Sequence, residues 1–201
     1  MAKNKATTEE VLEELLMSPT DLSPLMYQYY KGLEKRRIII NDEINMNIIE
    51  TGIIPLMDFD NDGSNEPIEI LIATNGGSVY YGFEFCRIIE SLKCKTTIRL
   101  MSMAASMGAL IAMAGYNNPN VTVICSSYTV GLIHSGSDCM VGACHAIKDQ
   151  FKFSQRYEDR IKNYIISHSN IDEKLYAEIE RQEFWMDSDD MLKYGIVDMI
   201  I

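Results

Sequence analysis

Residues 68–78 have the sequence IEILIATNGGS, and this stretch decides the fold. Apolar or β-branched residues occupy six of its first seven positions, which predicts a buried strand at residues 68–74. The turn Asn75-Gly76-Gly77-Ser78 closes the strand. Residues 78–92 then carry apolar side chains at helical spacing, at Val79, Phe83, Cys86, Ile89 and Leu92. The stretch therefore predicts a strand that passes through a glycine turn into a helix packed on one face.

The same alternation continues along the chain. Short β-branched runs predict further strands at residues 37–41, 97–101, 121–125 and 128–134. Residues 140–168 have helical spacing over a length that exceeds the needs of one core-packed helix, and residues 169–180 begin another helix. Strands that alternate with helices predict an α/β layered domain, and a helix this long is expected to project toward a partner.

Composition indicates one soluble globular domain. The chain has 201 residues, of which 47% are hydrophobic and 23% charged, so it is long enough to bury a core of its own. We expect a single domain over residues 31–201 and a partly helical N-terminal extension over residues 1–30, with a helix at residues 7–17.

The charge and the apolar runs exclude several classes of function. A net charge of −11 repels phosphate backbones and anionic lipids, which disfavours partners such as nucleic acid or a membrane surface. The longest apolar runs are short or are broken by Ser106 and Gly108, so none has the roughly 18 residues of a membrane span. The polar start is unlike a signal peptide. We therefore predict a cytoplasmic protein whose five cysteines are reduced.

Two segments raise the question of a metal. Cys139, Cys144 and His145 have the spacing of no common zinc site. Residues 58–63, DFDNDG, with Glu69 at the twelfth position, match the EF-hand calcium loop. However, Asn65 occupies the position of an apolar residue, and Glu69 falls within a predicted strand. We therefore expect an ordinary solvated loop and no metal.

The sharpest local feature is the stretch MSMAASMGA at residues 101–109, where a strand end turns into a helix. Ser106 lies at the helix start among small residues, beside the positive end of the helix dipole and free backbone N–H groups. An attacking oxygen and its oxyanion need such surroundings. The alternative interpretation is that Ser106 only caps the helix.

A nucleophilic serine needs a base, and the chain has three histidines. His134 follows an apolar strand and precedes a loop, where catalytic groups are commonly placed. His145 and His168 lie in the predicted long helix among charged residues, so we interpret them as solvated surface residues. The Gly76-Gly77 turn lacks the lysine of a phosphate-binding loop, but its amide can approach a substrate oxygen.

Four motifs together resemble the ClpP family, the proteolytic subunits of ATP-dependent Clp proteases. They are NGGS at residues 75–78, AASMGA at 104–109, LIH at 132–134 and KYGIVD at 193–198. The motifs occur in the family's order with compatible spacing, and the similarity covers residues 30–201. The resemblance implies a ClpP/crotonase-like fold of layered β-α repeats with a projecting long helix.

The resemblance also implies roles for individual residues. It makes Ser106 the nucleophile and His134 the general base, with the N–H groups of Gly77 and Met107 forming the oxyanion hole. The position of the family's aspartate falls on Glu183, which departs from the pattern but can still orient a histidine. The competing carboxylate is Asp187, whose place before Ser188 and Asp190 is typical of a helix cap.

For the assembly, the resemblance implies a ring-forming serine endopeptidase. It would form a homo-oligomeric double ring with heptameric rings, in which the long helix connects the rings. An AAA+ unfoldase would feed it unfolded polypeptide and consume the ATP, so this chain would need no cofactor. Gln182, where the family has an arginine, and residues 7–25, which are unlike the family's axial loop, depart from the pattern.

Three other interpretations stay open. Glu183 and Gln182 are compatible with a catalytically silent ring subunit, although Ser106 and His134 argue against it. A ClpP-like viral head-maturation peptidase would act without an ATPase. An acyl-CoA enzyme of the crotonase type would have an oxyanion hole but no need for Ser106 with His134.

Overall fold

The computed structural model describes residues 23–136 and 139–201. The helices are α1 (Pro24–Glu34), a π-helical turn (Ile49–Ile53), α2 (Ile54–Asn61), α3 (Val79–Glu90), α4 (Met107–Met113), α5 (Cys144–Ser167), α6 (Glu173–Ile179) and α7 (Ser188–Lys193). The strands are β1 (Arg37–Ile40), β2 (Ile68–Thr74), β3 (Thr96–Ala105), β4 (Val121–Cys125), β5 (Val130–Ile133), β6 (Phe184–Met186) and β7 (Met199–Ile200). The α/β prediction is confirmed.

A single mixed sheet organises these elements. Its main path is β1-β2-β3-β4-β7, and neighbours along this path are parallel. On the side away from β2, the long strand β3 has two partners: its first half pairs with β4, and its last residues, Met103 to Ala105, pair with β5. Strand β6 then pairs with β5 in the antiparallel sense. The carboxyl ends of β3 and β5 consequently lie side by side, next to β6.

The core lies between the sheet and the helices that cover it. Strand β2 alternates buried and half-exposed residues, and Ile68, Ile70 and Ile72 are at most 1% exposed. Helix α3 covers them with Phe85 and Ile89, which are fully buried. All seven residues of α4 are buried, because this short helix follows β3 directly into the interior. Burial of apolar surface on this scale is the main stabilising contribution.

Several predicted boundaries were wrong. Helix α5 begins at residue 144 instead of 140, and α6 occupies only the middle of the predicted helix at 169–180. Strand β3 extends four residues past its predicted end. Helix α1, the π-helical turn, α2, β6 and β7 were not predicted. Helix α1 crosses residue 30, and the domain boundary placed there stays a prediction; the helix predicted at residues 7–17 lies outside the described residues.

Aromatic rings attach the C-terminal half of α5 to α3. Tyr80 and Phe83 of α3 lie 5.0 and 6.0 Å from the ring of Tyr157, and Phe83 lies 5.0 Å from Tyr164. Pairs at these distances add to the stabilisation from burial alone. Only Ile165 of α5 is fully buried, so the rest of this 24-residue helix depends on the ring contacts or projects from the domain.

The interpretation of His168 as a solvated surface residue was wrong. Its ring stacks on Tyr164 at 4.0 Å, and its Nε2 lies 3.4 Å from Glu90 Oε1. Tyr164 donates its hydroxyl to the same carboxylate at 2.9 Å. Burial raises the pKa of Tyr164, and it also raises the pKa of Cys86 beside it to about 12. His168 therefore ends α5 in a packed polar cluster, whereas His145 is exposed as predicted.

Gly82 allows α3 to approach the start of α4. A Cβ at this position would lie 2.2 Å from Cγ and 2.4 Å from Sδ of Met107, which is itself buried. We expect Gly82→Ala to lower the free energy of unfolding by about 2 kcal/mol, because overpacking outweighs the gain in helix propensity. Urea unfolding measures this change. Gly136→Ala is the control, since nothing lies within 4 Å of its Cβ position; equal stability of the two variants would contradict the prediction.

No helix in the described part of the chain combines the length and the apolar character that crossing a membrane requires.

Candidate active site

Ser106 occupies a strained turn between β3 and α4. Its φ of 53° and ψ of −121° lie outside the regions that non-glycine residues ordinarily adopt. Its N–H donates to the carbonyl of Leu132 on β5 at 2.8 Å, which holds the turn in place. The Ser106 side chain makes no capping hydrogen bond to α4, so the capping interpretation was wrong. Strain of this kind is typical of functional residues.

The glycine turn after β2 fits against this serine. Gly76 has a φ of +101°, and a Cβ there would lie 2.7 Å from Ser106 Cβ and 2.9 Å from the backbone nitrogen of Met107. Only glycine fits at this contact. The NGGS and AASMGA motifs, about thirty residues apart in the sequence, therefore form one structural unit.

Two backbone N–H groups beside Ser106 have no hydrogen-bond acceptor among the described residues. The segment at Ile44 pairs with the glycine turn: Ile44 N–H donates to Gly76 O at 2.8 Å, and Ser78 N–H donates to Ile44 O at 2.7 Å. This pairing leaves the N–H of Gly77 unused. Met107 is the first residue of α4, where a helical N–H has no partner within the helix. Both predicted oxyanion donors are thus available.

His134 and Glu183 flank the antiparallel pair β5–β6. The observed register pairs Leu132 with Trp185 and Ile133 with Phe184. His134 and Glu183 each lie one residue beyond the last pair, just outside the strands. Extending the register by one step would place them opposite each other, with their side chains on the same face.

One oxygen of Glu183 is held by a neighbour on its own strand. Trp185 donates its indole Nε1–H to Glu183 Oε2 at 3.1 Å. The side chains of Ser106, His134 and Glu183 are not hydrogen-bonded to one another in the described part of the chain. Catalytic hydrogen bonds are often long without substrate.

Asp187 has a different partner. Its side chain accepts a hydrogen bond from Asp190 N–H at 2.9 Å and caps α7, as the sequence indicated. Extended along the β5–β6 register, Asp187 would lie opposite Val130, four residues or about 13 Å from His134 along the strand. The capping role and this position favour Glu183 over Asp187 as the partner of His134.

Ser106 and His134 line a cavity of about 930 Å³. The glycine turn and the end of β1 form one wall. Four residues of α5 form another wall, at the helical spacing i, i+3, i+4 and i+7: Ser154, Tyr157, Glu158 and Ile161. Burial raises the pKa of Tyr157, and the neighbouring Tyr80 raises it further. This wall was not predicted from the sequence, although the helical spacing of its residues is visible there.

Three of the four carboxylates of the candidate calcium loop have other partners. Asp58 and Asp60 lie within α2, and Asp60 accepts hydrogen bonds from the N–H groups of Lys93 and Cys94. Asp62 pairs with Arg36, and Glu69 pairs with arginines on the adjacent strands. Within residues 23–136 and 139–201, no group of three or more potential ligands could hold a metal ion.

Comparison with known proteins gives a consistent result. A family model described as Clp protease matches residues 23–201. Similar curated proteins are named "ATP-dependent Clp protease proteolytic subunit". The relative from Deinococcus radiodurans is 27% identical over 87% of this chain and 85% of its own length. Those from Streptococcus gordonii and Bdellovibrio bacteriovorus are 26% and 28% identical, over 93% and 96% of this chain and 95% and 92% of their own lengths.

Proposed function

Because the chain belongs to the Clp protease family, a family of peptidases, we propose that it is a serine endopeptidase whose nucleophile is Ser106. The observation that carries this proposal is the strained Ser106 turn, with a side chain that does not cap α4 and two unused N–H groups beside it. An acyl-CoA enzyme would need the N–H groups but not the serine with its histidine. The relatives are named as proteolytic subunits of an ATP-dependent Clp protease. These names favour an active Clp-type protease over the acyl-CoA enzyme, the head-maturation peptidase and the silent subunit.

In the proposed mechanism, Ser106 Oγ attacks the carbonyl carbon of a peptide bond while His134 accepts the hydroxyl proton. The N–H groups of Gly77 and Met107 donate to the oxygen that becomes negative in the tetrahedral intermediate. His134 then protonates the leaving amine, which departs and leaves an acyl-serine. Water, deprotonated by His134, hydrolyses this ester and restores the serine.

Glu183 takes the place that an aspartate has in the family pattern. Its carboxylate would accept from the second ring nitrogen of His134 and so fix the tautomer whose other nitrogen faces Ser106. Its extra methylene adds freedom of movement, which the hydrogen bond from Trp185 restricts. The positions of His134 and Glu183 in the extended β5–β6 register support an active enzyme more than a silent subunit.

The proposed context is a closed chamber of two stacked heptameric rings in the cytoplasm, fed with unfolded polypeptide by an ATP-driven AAA+ unfoldase. The unfoldase would consume the ATP, and this chain would need no cofactor. Helix α5 supports the ring arrangement, because Phe151 and Phe153 remain 54% and 43% exposed in the isolated chain. Exposed apolar residues on a projecting helix are typical of surfaces that another subunit covers.

The test combines particle size with active-site labelling. We expect purified protein to form a particle many times the 22.9 kDa chain mass, to cleave a fluorogenic peptide and to react with a fluorophosphonate at Ser106. Heat-denatured protein is the labelling control. A large particle that neither labels nor cleaves would establish the silent subunit instead. An active monomer would contradict the ring.

A further inference from the structure

We propose that the cavity beside Ser106 accepts a lysine or arginine side chain of the substrate next to the cleaved bond, and that Glu158 determines this preference. The inference rests on the proposed function, because it names the substrate class of the same site. Its basis is the charge and the shape of the cavity wall.

The cavity wall carries negative charge only. Asp42, Glu43 and Glu158 line it, whereas no lysine or arginine does among the described residues. None of these three carboxylates forms an ion pair with another described residue. Carboxylates without a cationic partner around a cleft attract cations and raise their local concentration.

Three of the five basic residues of α5 lie over aromatic rings. Arg156 lies over the Phe153 ring at 5.7 Å, Arg160 over the Tyr157 ring at 5.9 Å, and Lys162 over the Tyr176 ring at 5.9 Å. None of these three is part of the cavity wall. Glu158 also borders a surface depression that Lys152 and Arg156 line, but among the described residues no lysine or arginine lines the cavity beside Ser106.

The apolar part of the wall suits the stem of a long basic side chain. Val79 and Ile161 offer aliphatic surface to the cavity. The rings of Tyr80 and Tyr157, which also line it, have centroids 5.0 Å apart. Lysine and arginine bury their methylene stems against such surface while the charged head reaches a polar group. A guanidinium can also stack on a tyrosine ring.

Glu158 is better placed for this role than the other two carboxylates. Asp42 Oδ1 accepts a hydrogen bond from Glu43 N–H at 2.7 Å. Glu43 lies against Gly77, because a Cβ on that glycine would be 2.9 Å from Glu43 Cγ. Both therefore belong to the wall beside the proposed oxyanion hole. Glu158 lies next to Tyr157 in the part of the cavity wall that α5 contributes.

The experiment measures kcat/KM for fluorogenic peptides that differ only in the residue whose carbonyl is attacked: arginine, lysine, norleucine or glutamate. Norleucine has a similar stem without the charge. We expect arginine and lysine to exceed norleucine about tenfold, which corresponds to 1.4 kcal/mol. Salt should reduce this ratio, since it screens exposed charges. Glu158→Gln should bring the ratio close to one by lowering kcat/KM for the arginine and lysine peptides more than for the norleucine peptide.

Asp159→Asn is the matched control, because Asp159 is the next carboxylate on α5 and does not line this cavity. It should keep the preference of the wild type. The inference would be overturned if the norleucine peptide were cleaved as fast as the arginine peptide. It would also be overturned if Glu158→Gln left the arginine-to-norleucine ratio of kcat/KM unchanged. Binding of the same peptides to the inactive Ser106→Ala variant, measured by fluorescence anisotropy, separates the two proposals. Tighter binding of the arginine peptide without any cleavage by the wild type would support the cavity preference and refute the peptidase, and equal binding would refute the preference.

Discussion

Ser106→Ala is expected to lower kcat for peptide hydrolysis by about 10⁴-fold or more, because it removes the proposed nucleophile. Particle size and fold should not change, since alanine differs from serine only by the hydroxyl oxygen, and that oxygen makes no capping hydrogen bond to α4. Steady-state cleavage of a fluorogenic peptide, together with fluorophosphonate labelling, measures the loss.

Ser102→Ala is the matched control, because Ser102 lines the same cavity without the strained backbone. It should keep most of the activity and the label. Ser106→Gly adds a test of the backbone strain. This variant should be as inactive as Ser106→Ala, but its free energy of unfolding should be about 1 kcal/mol higher than that of Ser106→Ala, because glycine adopts positive φ without steric cost. Activity that survives in Ser106→Ala would contradict the proposed mechanism.

Glu183→Ala is expected to lower kcat by about 10²- to 10⁴-fold with little change in KM, because His134 would lose the group that fixes its tautomer. Glu183→Gln should lose a similar amount, since an amide can hold the wrong tautomer. Glu183→Asp should keep more activity than either. Trp185→Phe should have a smaller effect of the same kind, because it removes only the hydrogen bond to Glu183.

Asp187→Ala separates the two candidate carboxylates. It removes the cap of α7 and should cost about 1 kcal/mol of stability while kcat stays close to the wild-type value. Measuring kcat and the melting temperature of Asp187→Ala and Glu183→Ala distinguishes a chemical role from a structural one. Loss of activity in Asp187→Ala with a fully active Glu183→Ala would reverse the assignment.

Local sequence patterns predicted the elements that carry strong periodic signals. Strands β2 and β4 have the predicted bounds, because β-branched residues fill them and turn residues flank them. Helix α3 was predicted within two residues at each end. The assignment of Glu183 from its spacing to His134 stays a prediction, with which an extension of the β5–β6 register by one residue is compatible.

Features that depend on contacts between distant segments could not be predicted in this way. Strand β6 has three residues, too few for a periodic pattern, and exists because it pairs with β5 about fifty residues earlier. The end of β3, with the sequence SMAA, has no β-branched residue and is extended by its pairing with β5. The strain at Ser106 likewise depends on Leu132, which no local pattern connects to it.

The hydrogen bond from Ser106 to Leu132 and the pairing of β5 with β6 also determine when the proposed site can exist during synthesis. The turn at Ser106 lacks its backbone partner until residue 132 has been made, and Glu183 is made 77 residues after Ser106. Over that interval a growing chain carries the proposed nucleophile without the complete catalytic group. Incomplete chains would remain inactive toward the polypeptides around them, which protects a cell that makes a peptidase among unfolded proteins.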